Sequence, residues 1–190
     1  MTQYSLDEKY RLICEAVMET EGNDPIRIVK SVMHRDFVNI HGPEHHFLDG
    51  AALMVALRRS GMDFDLKQSL ALLSERTIKM PGAMCGYWGV CGSVASVGAV
   101  FSILDGTGPL SSDAPYSDHM AFTARVINKM GEIGGPRCCK RNAFLSLSEG
   151  IAYAREHYGV DLKSTEIVCE FTSFNPQCIA TRCPFYRGAK

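Results

Sequence analysis

The chain has 190 residues, a formal net charge of −1 and 46% hydrophobic side chains. That length predicts one domain with an ample core, and the near-neutral balance leaves no electrostatic footprint for nucleic acid and no basic face for a membrane surface. Eight cysteines exceed an ordinary share but fall short of a secreted disulfide scaffold, and the opening MTQYSLDEKY lacks the basic and apolar regions of a secretory signal, so a cytoplasmic location is expected, with the thiols as metal ligands, redox groups or core residues.

Ser5 and Glu8 have capping-box spacing, and Leu6, Tyr10, Ile13, Cys14 and Val17 follow at helical intervals. This predicts a first helix with Cys14 as a small core residue. Asp24-Pro25 supplies an N-cap and a first-turn proline, predicting a second helix through Ile28, Val29, Val32 and Met33 to about Arg35.

In HGPEHHFLDG the order His41, Glu44, His45 imitates a zinc-hydrolase motif. Gly42-Pro43 lies between the histidines, however, and Pro43 suits the start of a new helix. What remains is His45 and Asp49, four apart on one face, where a carboxylate can fix an imidazole tautomer and raise its basicity. Gly61 closes this third helix, and Asp65 caps a fourth that runs through Leu66, Leu70 and Leu73 to about Lys79.

Met80 to Leu104 passes without a charged side chain. Its first half holds Pro81, Gly82, Gly86 and Gly89 and reads as a turn-rich loop. Only Cys91 to Leu104 reads as a helix, which is core length rather than membrane-span length. Val94, Val97, Phe101 and Leu104 share one face, opposite a bare stripe of Gly92, Ala95, Ser96, Ala99 and Ser102 that admits a neighbouring helix or a ligand. Cys91 would meet the free N–H groups at the start of this helix, a place that favours a thiolate.

After a loop, Ser117 or Asp118 is expected to open a helix stopped by Gly131 and the Gly134-Gly135 pair, and Pro136 one that runs to Gly159. Thr165 to Thr172 reads as a lone strand. The expected fold is mostly α, a compact multi-helix domain around the small-residue helix 91–104, with a helical domain over 1–165 and an irregular cysteine-rich tail over 166–190 packed on it.

The tail places Cys169, Cys178 and Cys183 close together, the last followed by Pro184. An irregular loop gains order when thiolates close on a metal, because binding energy becomes folding energy, and three ligands imply a fourth. The run Gly134-Gly135-Pro136-Arg137-Cys138-Cys139-Lys140-Arg141 sets cations at a helix start, where they oppose the macrodipole and call for an offsetting thiolate, phosphate or carboxylate. The same field would lower the thiol pKa values. Neighbouring helix residues diverge by about 100°, so Cys138 and Cys139 should meet different partners, and one of them completes the tail's site. Zinc and an iron–sulfur cluster both remain open; no C-x-x-C occurs, which removes the zinc-ribbon, thioredoxin and ferredoxin spacings.

These residues predict a metal-binding, redox-capable domain. Cys169, Cys178 and Cys183 with Cys138 or Cys139 are the metal ligands, Cys91, His45 and Asp49 the candidate catalytic groups, and Arg137, Lys140 and Cys85 the candidate contacts to a small anionic ligand. The rival expectation is a non-catalytic helical interaction module with a structural zinc or simply buried thiols. The motifs His45-His46-Phe47-Leu48-Asp49-Gly50, Cys85-Gly86-x-x-Gly89-x-Cys91-Gly92, Gly135-Pro136-Arg137-Cys138-Cys139-Lys140-Arg141 and Cys169 to Pro184 together resemble an uncharacterised cysteine-rich domain family of anaerobic bacteria and archaea, in some proteins attached to a methyltransferase-like domain. The resemblance implies an oxygen-poor setting suited to iron–sulfur chemistry and a methyltransferase or redox protein as partner; it brings no reaction and no residue roles.

Overall fold

The capping box at Ser5 forms in full: the Glu8 N–H donates to Ser5 Oγ at 3.2 Å and the Ser5 N–H to Glu8 Oε2 at 2.7 Å. From there the computed structural model describes residues 4–186; the first three residues of the opening segment and the last four of the tail lie outside the described residues. The helices are α1 (Leu6–Glu19), α2 (Pro25–Met33), α3 (His45–Arg59), α4 (Leu66–Thr77), the single turn α5 (Met84–Tyr87), α6 (Gly92–Leu104), α7 (Ala114–Ile133) and α8 (Cys139–Tyr158). Two short 3-10 turns, Thr172–Phe174 and Ala180–Arg182, follow in the tail. No helix among the described residues is long and apolar enough to cross a membrane.

The small-residue helix α6 sits at the centre, as its composition requires, and shares that place with α3. All thirteen residues from His45 to Leu57 are buried. The bare stripe of α6 receives a helix: the Gly50 N–H donates to Ser96 Oγ at 3.0 Å, and a Cβ at position 50 would overlap that hydroxyl. Val94, Val97, Val100 and Phe101 fill the other side of α6 without solvent exposure. Each such side chain stabilises the fold by roughly 1.5–3 kcal/mol through burial, and cutting Leu53 to alanine in α3 would cost about 2–5 kcal/mol.

Several boundaries differ from the sequence expectation. The stretch 165–172 is not a strand, and no strand occurs among the described residues. Its alternation is real, with Ile167, Cys169 and Phe171 packed on the core, but no neighbouring strand completes a ladder. The Thr165 N–H donates instead to the Asp24 carboxylate at 2.7 Å, and the Cys169 N–H to the Phe185 carbonyl at 2.7 Å. Helix α7 begins earlier than expected, at Ala114 with Pro115 in its first turn; it passes Gly131 and ends at Ile133, capped by Gly134 of the expected glycine pair at φ 77°. Helix α8 begins at Cys139, not Pro136, because Cys138 is extended and serves as N-cap, its Sγ accepting the Arg141 N–H at 3.5 Å. Helix α3 begins at His45 and leaves Pro43 outside, while the Glu44 carboxylate turns back to the Asn39 N–H and Lys9.

Candidate functional site

Two hollows flank the first turn of α8. One is a narrow cavity lined by Cys138 at the head of α8 and by Cys169, Cys178 and Cys183 from the tail. Its apolar walls are Phe144, Phe171 and Phe185. Backbone N–H groups serve two of the four sulfurs: Arg141 donates to Cys138 at 3.5 Å and Ala180 to Cys178 at 3.4 Å. Burial pushes the Cys169 and Cys183 thiols up from their ordinary value. The tail is pinned across its length: Glu170 pairs with Lys30 and with His34 on and beside α2, the latter at 2.8 Å, and the Phe185 ring meets Phe144 edge-on at 5.5 Å.

The other hollow is a cleft of about 290 Å³ whose wall includes His41, His45, His46, Cys85, Cys91, Ser93, Arg137, Cys139 and Asn142. Helix α6 enters it by its N-terminus. The His46 ring lies against Gly92, where any Cβ would overlap it, so this glycine is what lets an imidazole reach the helix start. Cys91 is the N-cap of α6, and the Asn142 side-chain amide donates to its Sγ at 3.2 Å. The expected fall in thiol pKa does not occur here. Burial dominates the field of the helix start, raising Cys91 and pushing Cys139 up to about 12.

Between and beneath the hollows lies a buried ionic chain. Asp49 is fully buried and, among the described residues, neither carboxylate oxygen has a hydrogen-bond partner. Its Oδ1 stands 3.6 Å from His45 Nδ1, and His45 Nε2 stands 3.2 Å from Lys140 Nζ. That Nε2 also lies 3.2 Å from the Asn39 carbonyl, so it either accepts from protonated Lys140, with the histidine's own proton on Nδ1 facing Asp49, or donates to Asn39. The ammonium also donates to the Asn39 carbonyl at 3.0 Å and sits 4.9 Å from the centre of the Phe171 ring. Burial lowers its pKa to about 8. Lys140 therefore lines the thiol cavity and is absent from the wall of the cleft, whereas Arg137 lines the cleft; Asp49 lies behind His45 rather than on either wall.

One further link joins the two hollows. The Cys139 N–H donates to His41 Nδ1 at 3.4 Å, which places the His41 proton on Nε2, 3.1 Å from Asn175 Oδ1. The Asn175 amide then donates to Cys138 Sγ at 3.6 Å. Sequence reasoning passed over His46, Asn142 and Asn175. Asn175-Pro176 carried a turn signal only, and nothing local marks a partner more than a hundred residues away.

Among the described residues, no three His, Cys, Asp or Glu side chains are arranged to hold a metal ion. A family model described as a family of unknown function (DUF5714) matches residues 13–186. No curated protein and no solved structure matches the chain.

Proposed function

We propose, for a chain that belongs to the family of unknown function DUF5714, that it is an iron–sulfur protein whose cluster is held by Cys138, Cys169, Cys178 and Cys183. The observation that carries this reading is the cavity itself. Four thiols from two distant parts of the chain line it, and backbone N–H groups already donate to the sulfurs of Cys138 and Cys178. Amide donors of this kind stabilise the negative charge of metal-bound thiolates and tune their potential. The thiols do not converge on a single ion, whereas a cluster spreads its four ligands around a larger inorganic core. Bound there, a cluster would supply one-electron transfer.

The chain's own residues would do the rest. Phe144, Phe171 and Phe185 exclude water, and the Lys140 ammonium supplies a compensating charge within the same wall. Arg141, whose guanidinium donates to the Gly134 and Pro136 carbonyls at 3.0 Å, fixes the turn that presents Cys138. The cleft with Cys91 and Cys139 lies across that turn, which makes it the place where an electron would be used. His45, backed by Asp49, would take or return a proton there.

Protein purified without oxygen tests the reading. Iron and acid-labile sulfide in equal amounts, with broad visible absorption that bleaches on reduction, are expected, and Cys178→Ser and Cys183→Ser should each lose them. Zinc near one per chain without iron, or a folded metal-free protein that takes up neither iron nor sulfide on reconstitution, would overturn it.

A further inference from the structure

We infer that the cleft beside α6 binds a small molecule carrying an oxyanion at one end and a hydrogen-bond donor at the other, of the hydroxy-carboxylate, amino-carboxylate or phosphate class. The wall of the cleft contains no aspartate and no glutamate, and Arg137 stands in it, exposed and without an ion pair among the described residues. The first turn of α6 points the same way. Its N-cap Cys91 makes no side-chain cap bond, and Gly92 and Ser93 of that turn line the cleft, so partial positive charge and uncapped N–H groups face the space that Arg137 borders.

A helix start alone would be ordinary; the buried polar atoms make it a site. Asn142, 7% exposed, commits its amide nitrogen to Cys91, and its Oδ1 is left buried with no partner among the described residues. His46, also 7% exposed, has no partner at Nδ1. Native interiors rarely leave such atoms unpaired, and here both residues line one hollow. An acceptor as placed at Asn142 Oδ1 calls for a hydroxyl or amine on the ligand, while Arg137 and the helix start call for its carboxylate or phosphate. The cleft's wall is complete without the thiol cavity, so this inference stands whether or not that cavity holds a cluster.

Isothermal titration of the oxygen-free protein separates the sources of the anion. Glycolate and acetate form the carboxylate arm and inorganic phosphate the phosphate arm, each against a sodium chloride background. Saturable binding in at least one arm is expected, with glycolate tighter than acetate if the carboxylate arm binds. Arg137→Gln should weaken it at least tenfold, and Lys129→Gln, a surface cation of α7 outside the cleft, should leave it unchanged. Arg137 is exposed, so its replacement leaves the fold intact, and a coincident thermal melt will verify that. No saturable binding in either arm, or equal binding by the wild type and Arg137→Gln, overturns the inference; acetate equal to glycolate overturns the donor half of it. None of these outcomes alters the iron and sulfide content, which judges the cluster separately.

Discussion

Cys138 and Cys139 are joined by one peptide bond and face different hollows, the first the thiol cavity of the tail and the second the cleft at the start of α6. The divergence follows from the end of the helix. Cys138 is the extended N-cap and Cys139 the first helical residue, so successive side chains leave the backbone in different directions.

The two thiols are therefore expected to separate on mutation. Cys138→Ser should strip the protein of iron and lower its stability by more than about 4 kcal/mol if the centre is lost, the scale of a removed metal site. Cys139→Ser should keep the metal. Metal analysis beside a urea melt checks both, and equal metal loss in the two variants would contradict the assignment of Cys138 alone.

Gly92 gives a second expectation, because the His46 ring occupies the place of its missing Cβ. Gly92→Ala should destabilise by about 1–3 kcal/mol through overpacking. Gly86→Ala, where a Cβ meets open space, should stay within about 0.5 kcal/mol. Urea midpoints at constant m-value decide; an unaffected Gly92→Ala would mean that the His46 ring turns away freely.

Acid should weaken the fold in a defined window. Burial lowers the pKa of His41 and of His46 below the ordinary 6.5, with Arg137 and Lys140 adding to the effect at His41. The unfolded chain thus takes up protons first as the pH falls, so the contribution of these histidines is fully present above about 6.5 and is lost below it. Glu44 is held below the ordinary 4.5: its burial acts the other way but is outweighed by N–H donors, His45 and Lys9. Its contribution is fully present above about 4.5 and is lost only as the pH falls further, below the window of the histidines. Unfolding free energies of the wild type and His46→Gln across pH 5 to about 7.5 should show a shallower slope in the variant, and identical slopes would remove His46 from the account.

Thiol chemistry offers a fourth check. Cys139 is pushed up to about 12 from an ordinary 9.0, which leaves it about a thousandfold less thiolate at neutral pH. Cys91 is raised as well. Both should resist iodoacetamide in the folded protein and react promptly in denaturant, as read by mass spectrometry of the two peptides. Rapid labelling of either in the native state would show that a cation or local opening offsets the burial.

The fold was legible where signals are local. Ser5 with Glu8, Asp24 and Asp65 each cap a helix at the expected place, because a cap is settled within four residues. Thr165 to Thr172 misled because alternation shows which side chains face inward but not whether a second strand stands beside them. Pro136 misled because a proline suits a first helical turn equally well as the loop before it. At the site, the cysteine spacing and the Cys138-Cys139 pair were visible in the sequence, while Lys140 read as a contact to an anionic ligand beside Arg137. The burial of Lys140, at 1% exposure, depends on Asn39 and His45 about a hundred positions earlier and on Phe171 in the tail. His41 and Asn175 were hidden for the same reason, since their bond spans 134 positions.

The unbroken burial of His45 to Leu57 in α3 also sets how the cleft can open. Amides in a helix with no solvent side exchange with deuterium only when the whole domain unfolds, whereas a short turn such as Met84–Tyr87 exchanges through local opening. His45 and His46 at the start of α3 are thus expected to exchange last among the residues of the cleft and the turn carrying Cys85 first, which makes the glycine-rich rim the part expected to open.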